Sequence, residues 1–303
     1  MGFQSRSRTR CLRPLALVAL GAACAAGARA QERVYFITYN HQMEEPGSLE
    51  IALAPVYGTQ RGGGSFLASW MELEYGVRGW WTTELYLAGQ ATRHDSTLYT
   101  AWRWESRFRP LLREHWINPV LYVEYEDLNG ADKTMLEVVG HDVESDHAVA
   151  NALSRRDRLH ELETKLILSS HYEAWEIAEN LIAEKNLAGG PWEFGYAIGA
   201  SRPLALEARP ETCTLCPENF VAGLEIYGGL GSLGQGTSFG LRDTSHYLAP
   251  LLAWALPGGT TLRLSPTFGL NGNSHRFLLR FGVSYEISGF GRRIGRLFRR
   301  GAR

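Results

Sequence analysis

Apolar and polar residues alternate along most of the chain, and the clearest stretch runs from His275 to Ile287. From Phe277 onward its odd-numbered positions are aromatic or aliphatic, while its even-numbered positions are charged or small, except for Leu278. Because successive side chains of a strand point to opposite faces, this period predicts a strand with one apolar and one polar face. The run is also long enough for a tilted strand that crosses a bilayer, which needs roughly 9–11 residues.

Eleven further segments repeat this alternation, which predicts twelve strands in all. Their predicted ranges are 49–57, 67–77, 81–90, 102–109, 121–126, 162–168, 175–184, 192–199, 220–227, 248–256, 262–270 and 275–287. Tight turns such as Arg78-Gly79 alternate with longer connections such as 129–158, in which we expect a short helix near 147–155. An even number of strands brings both ends of the series to one side, as a single-chain bacterial barrel requires.

The polar face of these strands separates a membrane barrel from a soluble sheet. It carries many charged residues, which a water-filled barrel interior accepts and a packed soluble core does not. Nine tryptophans are present, and several, such as Trp80, Trp81, Trp175 and Trp192, lie near strand ends, where aromatic girdles form. We therefore predict an all-β fold, a single antiparallel transmembrane β-barrel of twelve strands. A soluble exported β-protein is the alternative.

The N-terminus has the organisation of a secretory signal peptide. Four arginines precede a short apolar stretch at 15–23, and Ala28-Arg29-Ala30 forms a cleavage site of the A-x-A type. We predict that residues 1–30 are removed on export. Residues 31–48 are then expected to form a periplasmic lead-in segment, because counting them as a thirteenth strand would break the even number. The barrel is expected at 49–287, and a basic amphipathic tail at 288–303.

Charge and cysteine content fit an exported protein. Removal of the signal peptide takes away five of the 31 basic residues and none of the 32 acidic ones, so the mature chain is acidic. Two of the four cysteines leave with it, and Cys213 and Cys216 remain. In an oxidising compartment this C-x-x-C pair is expected to form a local disulfide. A redox-active pair and a metal site remain open as alternatives.

Several segments of the sequence resemble those of an uncharacterised family of bacterial outer-membrane β-barrel proteins. They are Arg33-Val-Tyr-Phe-Ile-Thr-Tyr39, Glu72-Leu-Glu-Tyr-Gly76, Thr83-Glu-Leu-Tyr-Leu87, Glu163-Thr-Lys-Leu-Ile-Leu168 and Leu279-Arg-Phe-Gly-Val-Ser-Tyr-Glu286. The resemblance covers most of the mature chain. It implies a barrel located in the bacterial outer membrane, and it supplies no activity, cofactor or catalytic residue.

Ten charged residues are predicted to face the lumen and to line a pore. They are Arg103, Arg107, Glu124, Glu126, Glu163, Lys165, Arg263, Arg276, Arg280 and Glu286. Both signs occur among them. Three of the arginines come from the last two strands, whereas Glu72, Glu74 and Glu84 come from early strands, and such a split could produce a transverse field for small polar solutes. The alternative is a network of internal ion pairs that fills the lumen, because twelve strands enclose less space than the 16–18 strands of general porins.

The predicted function is that of a porin-like channel for small polar solutes. A structural or adhesion barrel that presents the connection 129–158 is the alternative, and a lipid hydrolase is a third. Ser245-His246 and Ser274-His275 are the candidate pairs for a hydrolase, but adjacent residues in a strand point apart. We predict no catalytic residue, cofactor, metal or nucleic-acid partner. Outer-membrane lipid and small polar solutes are the expected partners.

Two charged segments remain. The acidic stretch at 142–146 lacks the spaced ligands and the glycine of an EF-hand loop, and we interpret it as a solvated loop. The tail at 288–303 carries six arginines and no acid, with apolar residues at helical spacing. This pattern predicts either an interfacial helix on anionic lipid or a tail without regular structure.

Overall fold

Twelve antiparallel strands close into a single barrel in the computed structural model of the protein. The structure describes residues 33–60, 62–134, 149–207, 213–233 and 239–301. The strands are β1 (Leu49–Thr59), β2 (Phe66–Arg78), β3 (Trp81–Thr92), β4 (Thr97–Phe108), β5 (Asn118–Asn129), β6 (Arg158–Tyr172), β7 (Trp175–Asn186), β8 (Trp192–Pro203), β9 (Phe220–Leu233), β10 (His246–Leu256), β11 (Thr260–Gly269) and β12 (Phe277–Ile287). Each strand pairs with its sequence neighbours, and β1 pairs with β12. The predicted fold class and strand number are confirmed.

The alternation in the sequence separates the outer face of the barrel from its inner face. Large apolar side chains point outward and remain exposed, such as Leu53, Leu121 and Leu181. Neighbouring positions point inward and are buried although many are charged, Glu124 among them. An apolar outer belt is unfavourable in water and favourable in lipid hydrocarbon, and closure leaves no unpaired strand edge. In the part of the chain that the structure describes, no helix is long and apolar enough to cross a membrane.

The two ends of the barrel differ. At the end where β1 begins and β12 finishes, here called the terminal end, short turns follow β2, β6 and β10. The opposite end, here called the loop end, carries the connections of β5 to β6 and of β9 to β10. Trp81 stacks on Phe108 at the terminal end, with ring centroids 6.1 Å apart, and Phe268 contacts Phe277 at the loop end. Aromatic rings in two such belts suit the two interfaces of a membrane.

The connection between β8 and β9 lies at the terminal end and holds the C-x-x-C pair. Cys213 and Cys216 form a disulfide with their Cα atoms 5.8 Å apart. A single 3₁₀ turn, Pro217–Asn219, follows, and the side-chain amide of Asn219 donates to the Cys213 carbonyl at 2.6 Å. Of the three interpretations of the pair, the local disulfide is the one present in the structure.

The described parts of the connection between β5 and β6, residues 130–134 and 149–157, contact the barrel wall at the loop end. The helix expected there is a single turn, α1 (Asn151–Ser154). Lys133 is buried, its backbone N–H donates to the side chain of Gln90 at 2.8 Å, and its carbonyl lies 2.7 Å from Nε2 of His275. Gln90 belongs to β3 and His275 to the connection between β11 and β12, so these contacts join Lys133 to two separate parts of the rim.

A helix follows the barrel at the terminal end. It is α2 (Phe290–Gly301), so the tail is helical as the first of the two alternatives predicted. The backbone N–H of Gly291 donates to the Gly47 carbonyl at 2.9 Å, which fixes the start of α2 beside the start of β1. Arg292, Arg293 and Arg296 are exposed. The expected signal peptide and the acidic stretch at 142–146 lie outside the described residues.

Candidate functional site: the plugged lumen

Residues 33–48, here called the plug, lie inside the barrel. We predict a periplasmic lead-in segment here from the sequence, whereas in the structure residues 33–48 contact inward-facing side chains of most of the wall. Its centre is held by Glu225 on β9, whose carboxylate accepts the backbone N–H groups of Phe36, Ile37 and Thr38 at 3.1, 2.9 and 2.7 Å. Glu225 is fully buried. Hydrogen bonds to a carboxylate are about twice as strong as neutral ones, so this residue is the main anchor of the plug backbone.

Asn180 on the wall replaces hydrogen bonds that the plug backbone would make in a sheet, and Ser201 holds a side chain of the plug. The side-chain amide of Asn180 on β7 accepts from the N–H of Tyr39 at 2.7 Å and donates to its carbonyl at 2.8 Å. The hydroxyl of Tyr35 donates to Ser201 on β8 at 3.0 Å. Buried backbone groups need such partners, and the plug therefore stays extended inside the lumen without joining the barrel as a strand.

The ring of Tyr39 lies between cations and an acid. The guanidinium of Arg33 covers its face at 3.8 Å, and the ammonium of Lys165 lies 4.7 Å from its centre. Its hydroxyl donates to Glu105 at 2.8 Å, and its edge meets Tyr122. This ring therefore connects the plug to the ion-pair network of the wall through polar and cation–π contacts.

Glycines on the wall leave room for the aromatic residues of the plug. A Cβ atom at Gly199 would lie 2.6 Å from the ring of Tyr35, and one at Gly282 would lie 3.2 Å from the ring of Phe36. Inward positions nearby are small as well, and Ala178 packs in a buried cluster with Tyr35. The wall on the side of β7 to β12 thus accommodates the plug by having small side chains.

An ion-pair network lines the opposite wall. Arg107 contacts Glu74 and Glu84, and its Nε lies 3.1 Å from Glu105. The remaining pairs join Arg33 to Glu72 at 3.4 Å, Arg103 to Glu126 at 3.1 Å and Lys165 to Glu163 at 2.8 Å. Buried charges that are paired in this way are stable only together, because removal of one partner leaves the other uncompensated.

A cavity of about 120 Å³ remains between the plug, the network and the connection at the mouth. Its acidic side chains come mainly from β5, β6 and β7, and its two arginines from β11 and β12 lie across the barrel. These residues are Glu124, Glu126, Glu161, Glu163 and Glu184 on one wall and Arg263 and Arg280 on the other. Arg103 and Lys165 also line the acidic wall and pair with Glu126 and Glu163, so a polar solute would meet the remaining excess of acids on one side and two arginines on the other.

The predicted pore-lining residues do not all share one position. Seven of them line the cavity: Arg103, Glu124, Glu126, Glu163, Lys165, Arg263 and Arg280. Arg107 is buried in the ion-pair network. Glu286 is half-buried near the terminal end, where it accepts a hydrogen bond from Ser288. Arg276 is exposed and precedes β12, because the strand begins two residues later than the predicted start at 275.

The Ser-His pairs considered for a hydrolase make structural contacts. The ring of His246 lies 3.1 Å from the Tyr196 hydroxyl and 2.8 Å from the Leu241 carbonyl. The hydroxyl of Ser274 accepts from the backbone N–H of His246 and donates to its carbonyl. His275 contacts the carbonyl of Lys133 at the mouth. These contacts stabilise the connections at the loop end.

Three groups of side chains bring potential metal ligands within 4.8 Å of one another in the described residues. Two are acidic groups in the lumen, Glu50 with Glu72 and Glu74, and Glu124 with Glu126 and Glu163. Arginine and lysine partners of the ion-pair network already contact them. The third group contains two histidines and lies at the terminal end.

Glu225 and Asn180, which anchor the plug, are not among the ten residues that the sequence predicts to line a pore. Glu225 and Asn180 each look like one polar residue among many inward positions, and no local pattern marks them as partners of a segment about 140 or more positions away. The sequence does contain a weaker indication that another segment fills the lumen. Several inward positions of β8 and β10, such as Ala197 and Ala249, are small, whereas many of those of β2 to β6 are charged. An interior lined by small residues on one side leaves space that another segment has to fill.

Comparisons with known proteins bear on the fold. No protein-family model matches the sequence, and no curated protein matches it. Among solved structures, an outer-membrane channel from Pseudomonas putida F1 is similar, with 12% identity over 84% of this chain and 100% of that chain and a TM-score of 0.53. The KdgM porin in complex with disordered oligogalacturonate has 7% identity over 78% and 98% of the two chains and a TM-score of 0.44.

The translocator domain of the autotransporter NalP from Neisseria meningitidis has 9% identity over 89% and 94% of the two chains, with a TM-score of 0.43. TM-scores below 0.5 add nothing to the assignment, which rests on the closed twelve-stranded barrel and on the Pseudomonas channel. The chain has the fold of bacterial outer-membrane β-barrel proteins.

Proposed function

We propose that the protein is an outer-membrane channel for small polar solutes that its own N-terminal plug holds closed. The observation that carries the proposal is the charged cavity beside a plug held by polar contacts. A barrel that only needed a filled interior could use apolar packing, which is often as stable as buried ion pairs of the same volume or more stable. The charged interior therefore supports passage of polar solutes once the plug moves.

The contacts of the plug permit such movement. Its central anchors are hydrogen bonds to Glu225, Asn180 and Ser201, and water can replace each of them when the segment leaves. At its C-terminal end the plug continues into β1 through Gly47, which has a positive φ of 83°. A glycine adopts this conformation without strain, so it provides a pivot between the fixed strand and the plug.

The test is single-channel recording in planar bilayers. We expect the mature chain to show rare openings, and a variant that lacks residues 33–46 to show frequent, larger conductance steps. Glu225→Gln should raise the open fraction, because it weakens the three hydrogen bonds to the plug backbone. The matched control is Glu179→Gln on β7, since this glutamate is exposed on the outer face and should leave the open fraction unchanged. Absence of steps from the truncated variant at any voltage would refute the channel.

A structural or adhesion barrel is the second candidate, and the contacts at both ends favour it. The plug occupies the lumen, and Lys133 lies buried in the mouth at the loop end. Deletion of residues 135–148 distinguishes the two functions. A channel keeps its conductance after the deletion, while a barrel that presents this connection loses binding to its partner.

A further inference from the structure

Two histidines and a glutamate meet at the terminal end, where the plug passes the rim of the barrel. His41 belongs to the plug and Glu114 to the connection between β4 and β5. His171 lies at the C-terminal end of the strand β6. Their candidate ligand atoms all lie within 4.8 Å of one another. Nε2 of His41 is 2.9 Å from Glu114, and the rings of the two histidines meet edge to face at 5.2 Å.

This donor set suits a divalent transition-metal ion. Imidazole nitrogen and carboxylate oxygen bind Zn²⁺ at about 2.0–2.2 Å, and two histidines with one glutamate leave a fourth position for water or a further ligand. The three ligand atoms lie within 4.8 Å of one another, so side-chain adjustments alone would bring them to these distances from a shared ion. The three ligands come from three separate segments, so one bound ion would join the plug to the wall.

The surroundings of His41 orient its ring in the way that metal sites require. The hydroxyl of Ser169 contacts Nδ1 and also accepts the backbone N–H of His41 at 3.0 Å. The other ring nitrogen, Nε2, is thereby directed at Glu114. Ligating histidines in proteins usually have their second ring nitrogen fixed by such a hydrogen bond.

A buried carboxylate adjoins the group. Glu176 is only 3% exposed, and its Oε1 accepts from the side chain of Asn40. Its Oε2 lies 3.4 Å from Nε2 of His171, where it forms an ion pair with the protonated imidazole. A divalent ion bound by His171 would place positive charge beside this buried carboxylate in place of that proton.

Ser169, His41 and Glu114 also contact one another in the order of a Ser–His–Glu catalytic triad, which a hydrolase would need. Ser169 is 2% exposed, and its hydroxyl is already bonded to the backbone of His41. A substrate therefore has no access to this hydroxyl. The side chains of Glu114 and His171 are 61% and 41% exposed, which gives an ion a path from solvent. Arg109 contacts Oε1 of Glu114 at 2.8 Å and leaves Oε2 for the ion.

We propose that His41, Glu114 and His171 form a binding site for a zinc-like divalent ion, with Glu176 as the adjacent buried carboxylate. The bound ion fixes the plug to the rim of the barrel. The site does not depend on solute passage, so it stands whether the barrel is a channel or a structural protein.

The test uses the full mature chain, refolded in detergent and freed of metal with a chelator. Titration with Zn²⁺ should show one ion per chain, and Co²⁺ should give the visible absorption of a low-coordinate nitrogen and oxygen site. His171→Ala should lose both signals, and Glu114→Gln should weaken Zn²⁺ binding at least tenfold, as loss of a ligand or its support does. His160→Ala is the matched control, because His160 lies on the same strand at the loop end and contacts Tyr125.

Folding of each variant is checked by its heat-modifiable mobility in gels, and His171 is exposed enough for replacement without a cavity. A second measurement is protection of the plug from added protease. Zn²⁺ should slow cleavage in the unmodified chain and leave cleavage of His171→Ala unchanged. Equal Zn²⁺ affinity of the unmodified chain and His171→Ala, or an equal loss in His160→Ala, would overturn the proposal.

Discussion

At the scale of single residues, the interior is divided between side chains that hold the plug and side chains that make room for it. Glu225 and Asn180 supply polar anchors that a soluble core would rarely bury. Gly199 and Gly282 supply space, because any Cβ at these positions meets an aromatic ring of the plug. The position of the plug therefore depends on the lack of a side chain at the two glycines as much as on the polar anchors.

We predict that Gly199→Ala loosens the plug while the barrel stays folded. The new Cβ lies 2.6 Å from the ring of Tyr35, and overpacking of this kind costs about 1–3 kcal/mol. Limited proteolysis of the plug should become about 5- to 150-fold faster, because cleavage tracks the population of the open form, which rises about tenfold for each 1.4 kcal/mol. The control is Gly89→Ala on β3, where the nearest atom is 3.4 Å away. Equal cleavage rates in the two variants would show that the plug does not need the space at Gly199.

At the scale of elements, two residues of the barrel hold Lys133, in the connection between β5 and β6, at the mouth. They are Gln90 on β3 and His275. His275, between β11 and β12, is one of them and lies outside the membrane-spanning strands. Its burial lowers its pKa from 6.5 to about 4, and the nearby charge of Lys133 acts in the same direction. The closed mouth therefore favours the neutral imidazole.

This shift predicts a pH dependence of the mouth. A lowered histidine pKa means that the closed form binds fewer protons than the open form, so closure is fully stable above about pH 6.5 and weakens as the pH falls toward 4. Hydrogen exchange of the backbone amides at 131–134 should accelerate at pH 5 relative to pH 7, after correction for intrinsic rates. His275→Asn should remove the difference between the two pH values. A difference that persists in this variant would assign the effect to another group.

At the scale of the whole molecule, closure into a barrel assigns every strand one lipid face and one interior face. The acids of β5 to β7 and the arginines of β11 and β12 come to opposite walls only because the sheet closes. If the barrel conducts, as proposed, this separation sets its ion preference. The acidic wall is the larger of the two and extends toward the mouth through Glu161 and Glu184.

We predict that the truncated barrel without residues 33–46 prefers cations. Replacement of Glu126 and Glu163 by glutamine should lower the ratio of cation to anion permeability, because it removes negative charge from the wall of the cavity. Arg280→Gln should raise the ratio. Reversal potentials across a salt gradient measure both changes, with Glu179→Gln as the control on the outer face. Shifts of the same sign in the acidic and basic variants would argue against a charge-selective lumen.

Much of the fold follows from the sequence because its signals are local. The alternation of faces, the twelve strands and the isolated exceptions are readable residue by residue. Glu179 is exposed on the outer face and Leu278 is fully buried inside, as the strand period predicts for each. Alternation continues beyond the ends of strands into turns, so it does not mark where a strand begins. It predicts Arg276 as inward, although this residue precedes β12.

The sequence alone therefore determined the barrel, its number of strands and the charged character of its interior, because period and length act within single segments. The tertiary structure decided what occupies that interior. The plug is aromatic and extended, and nothing in its own sequence separates a lead-in from an internal segment. Its place depends on hydrogen bonds to Glu225 and Asn180 and on space at Gly199, which come together only when distant strands close around it.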